Sequence, residues 1–138
     1  MTEDELRPTC AKIVTAALAA KTHGATEVKD AMPGGGMPRG AVCSLLKGTE
    51  QVGSITIACK PDLDVSAIER ERAAMTKAVD LPTPVGRGGY RLSSIVFYND
   101  DETPCRLQVA FNTLPEDGAL TDALRAIMAA VTPTSVRP

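Results

Sequence analysis

The four cysteines of this 138-residue chain, Cys10, Cys43, Cys59 and Cys105, constrain its fold more than any other feature. An even number of cysteines in a small domain permits two disulfides, with three possible pairings. The spacings contain no C-x-x-C pair and no Cys-His cluster, so they are not typical of a zinc site. The alternative is four buried thiols in a cytosolic protein, packed as small hydrophobic side chains. We favour two disulfides, which predict export to an oxidising compartment.

The composition predicts one globular domain over residues 1–138, with residues 1–7 and 132–138 frayed. Hydrophobic residues make up 43% of the chain and charged residues 23%, which is typical of a folded domain. The core nevertheless has few large side chains, because the chain has no Trp, two Phe and two Tyr. Aromatic rings bury the largest apolar areas, so a core without them gains from covalent cross-links.

The charge balance excludes several classes of partner. The formal net charge is −2 and the sequence pI is about 5.4, whereas nucleic-acid binders usually carry a cationic excess.

No apolar run approaches the roughly 20 residues that span a membrane, so we expect no membrane insertion. The first residues, Met1 to Glu5, are acidic and do not resemble a signal peptide. Either the protein is cytoplasmic, or it is a mature fragment whose export signal was removed.

Hydrophobic periodicity predicts an α+β fold with the order α-β-β-α-β-β-α. The predicted helices are Pro8–Thr22, Val65–Val79 and Pro115–Val131. The predicted strands are Ala41–Lys47, Ser54–Lys60, Tyr90–Tyr98 and Cys105–Asn112. Adjacent strands joined by tight turns favour an antiparallel sheet, here of four or five strands, with helices packed mainly on one face.

This arrangement suggests one set of cysteine pairs without fixing it. Cys10 lies on the apolar face of the first helix, and Cys43 begins a strand. A bond between them would tie that helix to the sheet, and a bond between Cys59 and Cys105 would then join two strands. Sequence alone leaves the other two pairings open.

The glycine-rich segments are interpreted as structural loops. Pro33–Gly40 has no Lys-Ser/Thr pair and precedes a strand, whereas a phosphate loop precedes a helix. Gly86–Tyr90 also precedes a strand, and glycines there permit close backbone approach. The single histidine, His23, suits a helix end. The acidic segment Asp100–Glu102 lacks the glycine pattern of a calcium loop and is expected to be a solvated turn. No catalytic residue, metal or cofactor is predicted.

The predicted strand Tyr90–Tyr98 is apolar on both sides, whereas a sheet packed on one face needs one apolar row. The second row must be covered by the loop Ala25–Ala41, by a partner chain or by a ligand. Short side chains at Thr56 and Ala58, with Lys60 nearby, suit the floor of a groove. The predicted binding residues on this outer face are Arg87, Tyr90, Arg91, Val96, Tyr98, Arg106 and Gln108.

Several of these segments resemble the actinobacterial lipoprotein domains of the DUF3558 type. The resemblance rests on Pro8-Thr-Cys10 at a helix start, Ala41-Val-Cys43-Ser-Leu, Val85-Gly-Arg-Gly-Gly-Tyr90 and the hairpin that follows. It implies an exported, disulfide-bearing α+β domain with no established catalytic activity, normally tethered through an acylated cysteine. This chain differs from that pattern in its second pair of cysteines and in lacking a lipobox before Cys10.

The resulting hypothesis is a non-enzymatic, extracytoplasmic (periplasmic or cell-surface) domain that binds an unknown protein or small ligand through its outer sheet face. The alternative is a cytoplasmic dimer that resembles a secretion chaperone and binds a partner segment along an apolar groove. An acidic pI and an apolar second row favour the chaperone. The four cysteines favour the exported domain.

Overall fold

The computed structural model describes residues 5–19, 21, 24–31, 39–61, 63 and 65–137. In these residues an antiparallel sheet packs against helices, so the fold is α+β as predicted. The histidine at position 23 and most of the segment 33–40 lie outside the described residues, and so do the predictions made for them.

The helices in the described part of the chain are shorter than predicted. They are α1 (Cys10–Ile13), α2 (Ala16–Ala19), α3 (Val65–Ala74) and α4 (Asp117–Ala130). The predicted first helix is broken at Val14, whose backbone is extended at φ −120° and ψ 113°. Ile13, Val14 and Thr15 are consecutive β-branched residues, which lose side-chain freedom in a helix. The hydroxyl of Thr15 then accepts a hydrogen bond from the Leu18 backbone N–H at 3.2 Å, at the start of α2.

The described residues form a sheet of seven strands in the order β1-β2-β3-β7-β6-β5-β4, so four or five strands were too few. The strands are β1 (Glu27–Asp30), β2 (Gly40–Lys47), β3 (Glu50–Cys59), β4 (Val79–Asp80), β5 (Gly89–Leu92), β6 (Ile95–Asn99) and β7 (Cys105–Phe111). Every neighbouring pair is antiparallel. The edge strands β1 and β4 are short and mostly exposed, so they lack the buried alternation that reveals a strand in a sequence.

The predicted strand Tyr90–Tyr98 is in fact a hairpin of two strands, β5 and β6. Leu92 pairs with Ile95, so Ser93 and Ser94 alone form the turn. Ser93 has a positive φ of 54°, a conformation that usually requires Gly, Asn or Asp. The Ser-Ser sequence therefore gave no turn signal, and the two strands were predicted as one.

The turn moves two of the predicted binding residues to the opposite face of the sheet. Val96 and Tyr98 were predicted to lie on the outer face, but both are 0% exposed and belong to the main core. Tyr90 and Phe97, which pair across the hairpin, share the outer face instead. Because side chains alternate along a strand, an unnoticed turn is enough to misplace a whole row.

Both faces of the sheet are covered, by different helices. Residues of α1, α2 and α4 pack with the inner face in the main core. The helix α3 is the exception to the expected one-sided packing, because it covers part of the outer face. There a second apolar cluster contains Ile68, Met75, Ala78, Tyr90 and Phe97. The second apolar row is thus covered by α3, whereas a loop, a partner chain or a ligand was expected to cover it.

Both disulfides are present in the suggested pairing. Cys10–Cys43 links α1 to β2, and Cys59–Cys105 joins directly opposite residues of β3 and β7. All four cysteines are at most 5% exposed. The cross-links therefore lie inside the main core, where large side chains are scarce.

The described residues near both ends of the chain are packed rather than frayed. Leu6 and Val136 are each 0% exposed, and the Arg7 backbone N–H donates to the Val136 carbonyl oxygen at 2.6 Å. The hydroxyl of Ser135 also donates to the Ala130 carbonyl oxygen at 2.7 Å, at the end of α4. Apolar burial at both ends explains why the expected fraying is absent there.

We expect Val96→Glu to unfold the domain, because an unpaired carboxylate in the main core costs several kcal/mol. The matched control is Gln108→Glu, which places the same charge on the outer face at a half-buried position. Circular dichroism melting curves test both variants. A folded Val96→Glu variant with an unchanged melting temperature would contradict the core position of Val96.

Replacing Cys10 and Cys43 together by Ala should lower the free energy of unfolding by about 3 to 4 kcal/mol, because the disulfide closes a long loop in the unfolded chain. The pair Cys59→Ala and Cys105→Ala should cost a similar amount, since its sequence separation of 46 is close to the 33 of the first disulfide. Urea denaturation without reductant measures both losses. Equal stability of wild type and either double variant would show that the bond does not stabilise the fold.

Candidate functional site

A cavity of about 260 Å³ lies between α3 and the outer face of the sheet. Its apolar lining consists of Ala58, Leu63, Ala67 and Ile68. Its polar lining consists of Lys60, Glu71, Asn99 and Arg106. A mostly enclosed space with an apolar wall and a few polar groups is the usual form of a small-ligand site.

One row of residues across three strands forms the floor of this cavity. Arg106 of β7 pairs with Ala58 of β3 on one side and with Asn99 of β6 on the other. The short side chain of Ala58 leaves room above the sheet. On α3, Ala67 and Glu71 are one helical turn apart and therefore lie on the same face of the helix, above that row.

The Asn99 side chain is the least satisfied polar group in the cavity wall. Asn99 is 1% exposed, and among the described residues its Oδ1 atom has no hydrogen-bond partner. Leaving a buried acceptor unpaired costs about 1 to 3 kcal/mol. Since nearly all buried polar atoms in proteins are paired, the unpaired Oδ1 atom is unusual.

The ion pair of Glu71 and Arg106 holds α3 against the sheet at one side of the cavity. Both guanidinium Nη atoms donate to the carboxylate, with Nη1 at 2.9 Å from Oε1. The two side chains are 39% and 30% exposed, so solvent screens part of their attraction. The Arg106 guanidinium also lies over the Phe97 ring, 5.8 Å from its centroid. Bidentate geometry and the ring contact fix the orientation of Arg106.

Tyr90 lies behind this ion pair and does not line the cavity. Its ring stacks on Phe97 with centroids 5.1 Å apart, beneath α3. Burial raises the pKa of the Tyr90 hydroxyl, and the negative charge of Glu71 raises it further while Arg106 opposes the shift. Tyr90 therefore stays neutral at physiological pH. Its buried hydroxyl has no hydrogen-bond partner among the described residues.

The glycine segment before β5 contacts the backbone carbonyl group of Asn99. The Asn99 carbonyl oxygen accepts from the Arg87 backbone N–H at 2.9 Å. Gly86 has a φ of 63°, and a Cβ atom there would lie 2.0 Å from the same carbonyl oxygen. The Arg87 side chain donates to the carbonyl oxygens of Asp100 and Thr103 at 2.7 and 3.0 Å. The segment with Gly86 and Arg87 therefore supports the neighbouring backbone. This agrees with its interpretation as a structural loop.

Asp100 is fully buried, so the expectation of a wholly solvated acidic turn is wrong at this residue. Its Oδ2 atom accepts hydrogen bonds from the Thr103 N–H at 2.8 Å and the Thr103 hydroxyl at 2.7 Å. It also accepts one from the Glu102 N–H at 3.2 Å. Burial raises the pKa of the Asp100 carboxyl, and these hydrogen bonds partly offset the rise. The buried carboxyl therefore shapes the loop between β6 and β7, directly after Asn99.

The structure brings part of the predicted site together. Arg106 lines the cavity, and Gln108 is half-buried on the same face, paired with Thr56 and Phe97. Arg91 pairs with Val96 on one side and with Val79 on the other, and so lies on the opposite face of the sheet.

Sequence reasoning missed two residues of the cavity, Asn99 and Glu71. The predicted strand ended at Tyr98, just before Asn99, and Glu71 was not among the predicted binding residues. The alternation of β6 continues to Asn99, and this was the signal available for that residue. No signal was available for Glu71, because its contact with Arg106 joins elements that are 35 residues apart.

The cavity provides an amide, a carboxylate and two cations, a set that recognises ligands by hydrogen bonds and charge. Among the residues that the structure describes, no group of three His, Cys, Asp or Glu side chains is placed to hold a metal ion. A search of the same residues finds no helix with the length and hydropathy of a membrane span.

The sequence matches no known family model, and no curated protein or solved structure is significantly similar to it. The resemblance to DUF3558-type lipoprotein domains therefore stays a prediction.

Stability should fall as the pH rises above about 4, because the folded-state pKa of Asp100 is raised above the usual value near 3.9. Below that value the carboxyl is protonated in both states, and with rising pH ionisation favours the unfolded chain. Asp100→Asn keeps an acceptor for Thr103 and removes the titration, so the variant should gain stability relative to wild type between pH 4 and 7. Urea denaturation across this range measures the difference.

The control for this experiment is Asp101→Asn, since Asp101 is exposed. That variant should track the wild type at every pH. A constant difference between Asp100→Asn and wild type across the range would mean that Asp100 titrates alike in both states.

Proposed function

We propose that this protein is a non-enzymatic, extracytoplasmic binding domain whose ligand occupies the cavity beneath α3. The observation that carries the proposal is the cavity itself, which combines an apolar wall with the polar side chains of Lys60, Asn99 and Arg106. The surrounding fold holds Asn99 in place through the Arg87 and Gly88 backbones. A polar residue whose backbone is held firmly in a cavity wall suits a preorganised binding site.

The two buried disulfides support the extracytoplasmic part of the proposal. Disulfides form and persist in oxidising compartments and are rare in the reducing cytosol. Here both disulfides lie in the main core, so they are structural cross-links rather than exposed reactive groups. A small domain with few aromatic residues benefits from such cross-links.

The packing on the outer face favours a small ligand over the chaperone-like alternative. The chaperone hypothesis depended on an uncovered apolar row, and α3 now covers Tyr90 and Phe97. Among the described residues, Val79 at 48% exposure is the one large hydrophobic side chain that is exposed. A groove for an unfolded partner segment needs a larger apolar surface than this.

The proposal is tested by filling the cavity. Ala67→Leu adds methyl groups to the cavity wall, whereas Ala73→Leu makes the same change at an exposed position of α3. A set of small carboxylates, amides, alcohols and amines is screened against the ¹⁵N-labelled protein by chemical-shift perturbation. We expect shifts clustered at Asn99 and α3 in wild type and Ala73→Leu, and none in Ala67→Leu.

Two results would contradict the proposed function. One is the absence of any hit at millimolar concentration in a folded wild-type protein. The other is a set of hits whose affinities are the same in wild type and Ala67→Leu, because such ligands bind elsewhere.

A further inference from the structure

The strand β1 forms one edge of the sheet. Among the described residues it pairs with β2 alone, at the end of the strand order. Glu27, Lys29 and Asp30 are exposed, so the strand is not covered. An open edge presents backbone N–H and C=O groups to which another strand can bond. The opposite edge, β4, is only two residues long and offers a shorter row of such groups.

The backbone groups of Val28 point to the open side of β1. The Ala31 N–H donates to the Val42 carbonyl oxygen at 2.8 Å, so the backbone groups of Ala31 face β2. Along an antiparallel strand these groups alternate in direction from one residue to the next. Those of Lys29 therefore face β2 as well, and those of Val28 face away from it. Val28 thus presents one donor and one acceptor at the edge.

The charges of β1 favour a second copy of the same strand as the partner. If two copies pair antiparallel with Val28 opposite Val28, each Glu27 lies opposite the partner's Lys29 on one face of the sheet. The two-fold symmetry makes this contact twice. Opposite charges that face each other across two strands stabilise the pairing. Charges on an edge strand commonly prevent association, but the order Glu-Val-Lys complements itself.

The neighbouring registers bring like charges together. Paired residues must direct their backbone groups toward each other or away together, so Val28 can pair with Val28, Thr26 or Asp30. Pairing it with the partner's Asp30 places Lys29 opposite Lys29. Pairing it with the partner's Thr26 places Glu27 opposite Glu27. Of the three registers, the one centred on Val28 is therefore the one in which opposite charges meet.

An apolar contact on the inner face adds to the pairing. Val28 is half-buried and packs partly on the main core. Beside it lies a depression of about 210 Å³, whose apolar lining includes Ala11 and Val14. Directly opposite residues of two paired strands share a face of the sheet, so two copies of Val28 would meet at this depression.

From the direction of the backbone groups and the order of the charges, we propose that the protein forms a two-fold symmetric dimer through β1. The Val28 N–H donates to the partner's Val28 carbonyl oxygen, and the reverse bond completes the pair. The sheets of the two copies become one continuous sheet. The cavity beneath α3 lies beyond β2, over β3, β7 and β6, so each copy keeps its own cavity open. The dimer does not depend on the proposed function.

Charge reversal tests the register. Glu27→Lys alone, or Lys29→Glu alone, makes both cross-strand contacts repulsive, whereas the double variant restores them with the charges exchanged. Sedimentation equilibrium at low ionic strength measures the dimer dissociation constant. The strand is short, so we expect a weak wild-type dimer, with a constant of roughly 10 μM to 1 mM. Each single variant should bind about tenfold more weakly, and the double variant should return to about the wild-type value.

Two controls accompany these variants. Asp122→Lys makes the same change of charge as Glu27→Lys at an exposed position of α4, and it should leave the dissociation constant unchanged. The two single variants shift the net charge in opposite directions, so a general effect of net charge cannot weaken both. Circular dichroism shows whether each variant is folded, as expected for substitutions at exposed positions.

Amide hydrogen exchange tests the position of the contact. In ¹⁵N-labelled wild type the Val28 N–H should exchange more slowly at 2 mM than at 20 μM protein, because the dimer bonds it. In Glu27→Lys this dependence on concentration should be lost.

Three results would overturn the inference. The first is a wild type that stays monomeric at 2 mM. The second is a dimer whose dissociation constant neither single variant changes, because such a dimer uses another surface. The third is a folded double variant that associates as weakly as the single variants, because the charges then do not meet across the two-fold axis.

Discussion

The disulfide between Cys59 and Cys105 is the interaction on which the cavity depends. It joins β3 and β7 at directly opposite residues, on the inner face of the sheet. Side chains alternate along a strand, so the neighbouring residues Ala58, Lys60 and Arg106 point to the outer face and line the cavity. One covalent bond in the main core therefore ties together, from the inner face, two of the three strands that form the cavity floor.

The helix α3 forms the other wall of the cavity, although it has few apolar residues with which to pack. Its packing against the stacked rings of Tyr90 and Phe97 covers part of the outer face, and the ion pair of Glu71 with Arg106 adds direction. Hydrophobic contact is not directional, whereas a bidentate ion pair is. Together they hold a short helix at a distance from the sheet that leaves room beside Ala58.

The polar chemistry of the cavity also has a structural origin. Asn99 ends β6, and its backbone is held on both sides by Arg87 and Gly88. The following residue, Asp100, uses a buried carboxylate to close the loop through Thr103. Gly86 and Arg87, which resembled part of a binding motif in the sequence, thus contact the backbone of Asn99 and of the loop after it.

The sequence by itself determined the α+β class, the core strands β2, β3 and β7, and the helix α4, because each of these shows a clear hydrophobic period. Tertiary structure decided the turn at Ser93, the second face covered by α3, and the contact of Glu71 with Arg106. A hydrophobic period of two or 3.6 residues depends only on residues near one another in the sequence. It can therefore be read from a single sequence. The side on which a strand presents its residues depends on every turn before it, and a contact between distant elements exists only once both have packed.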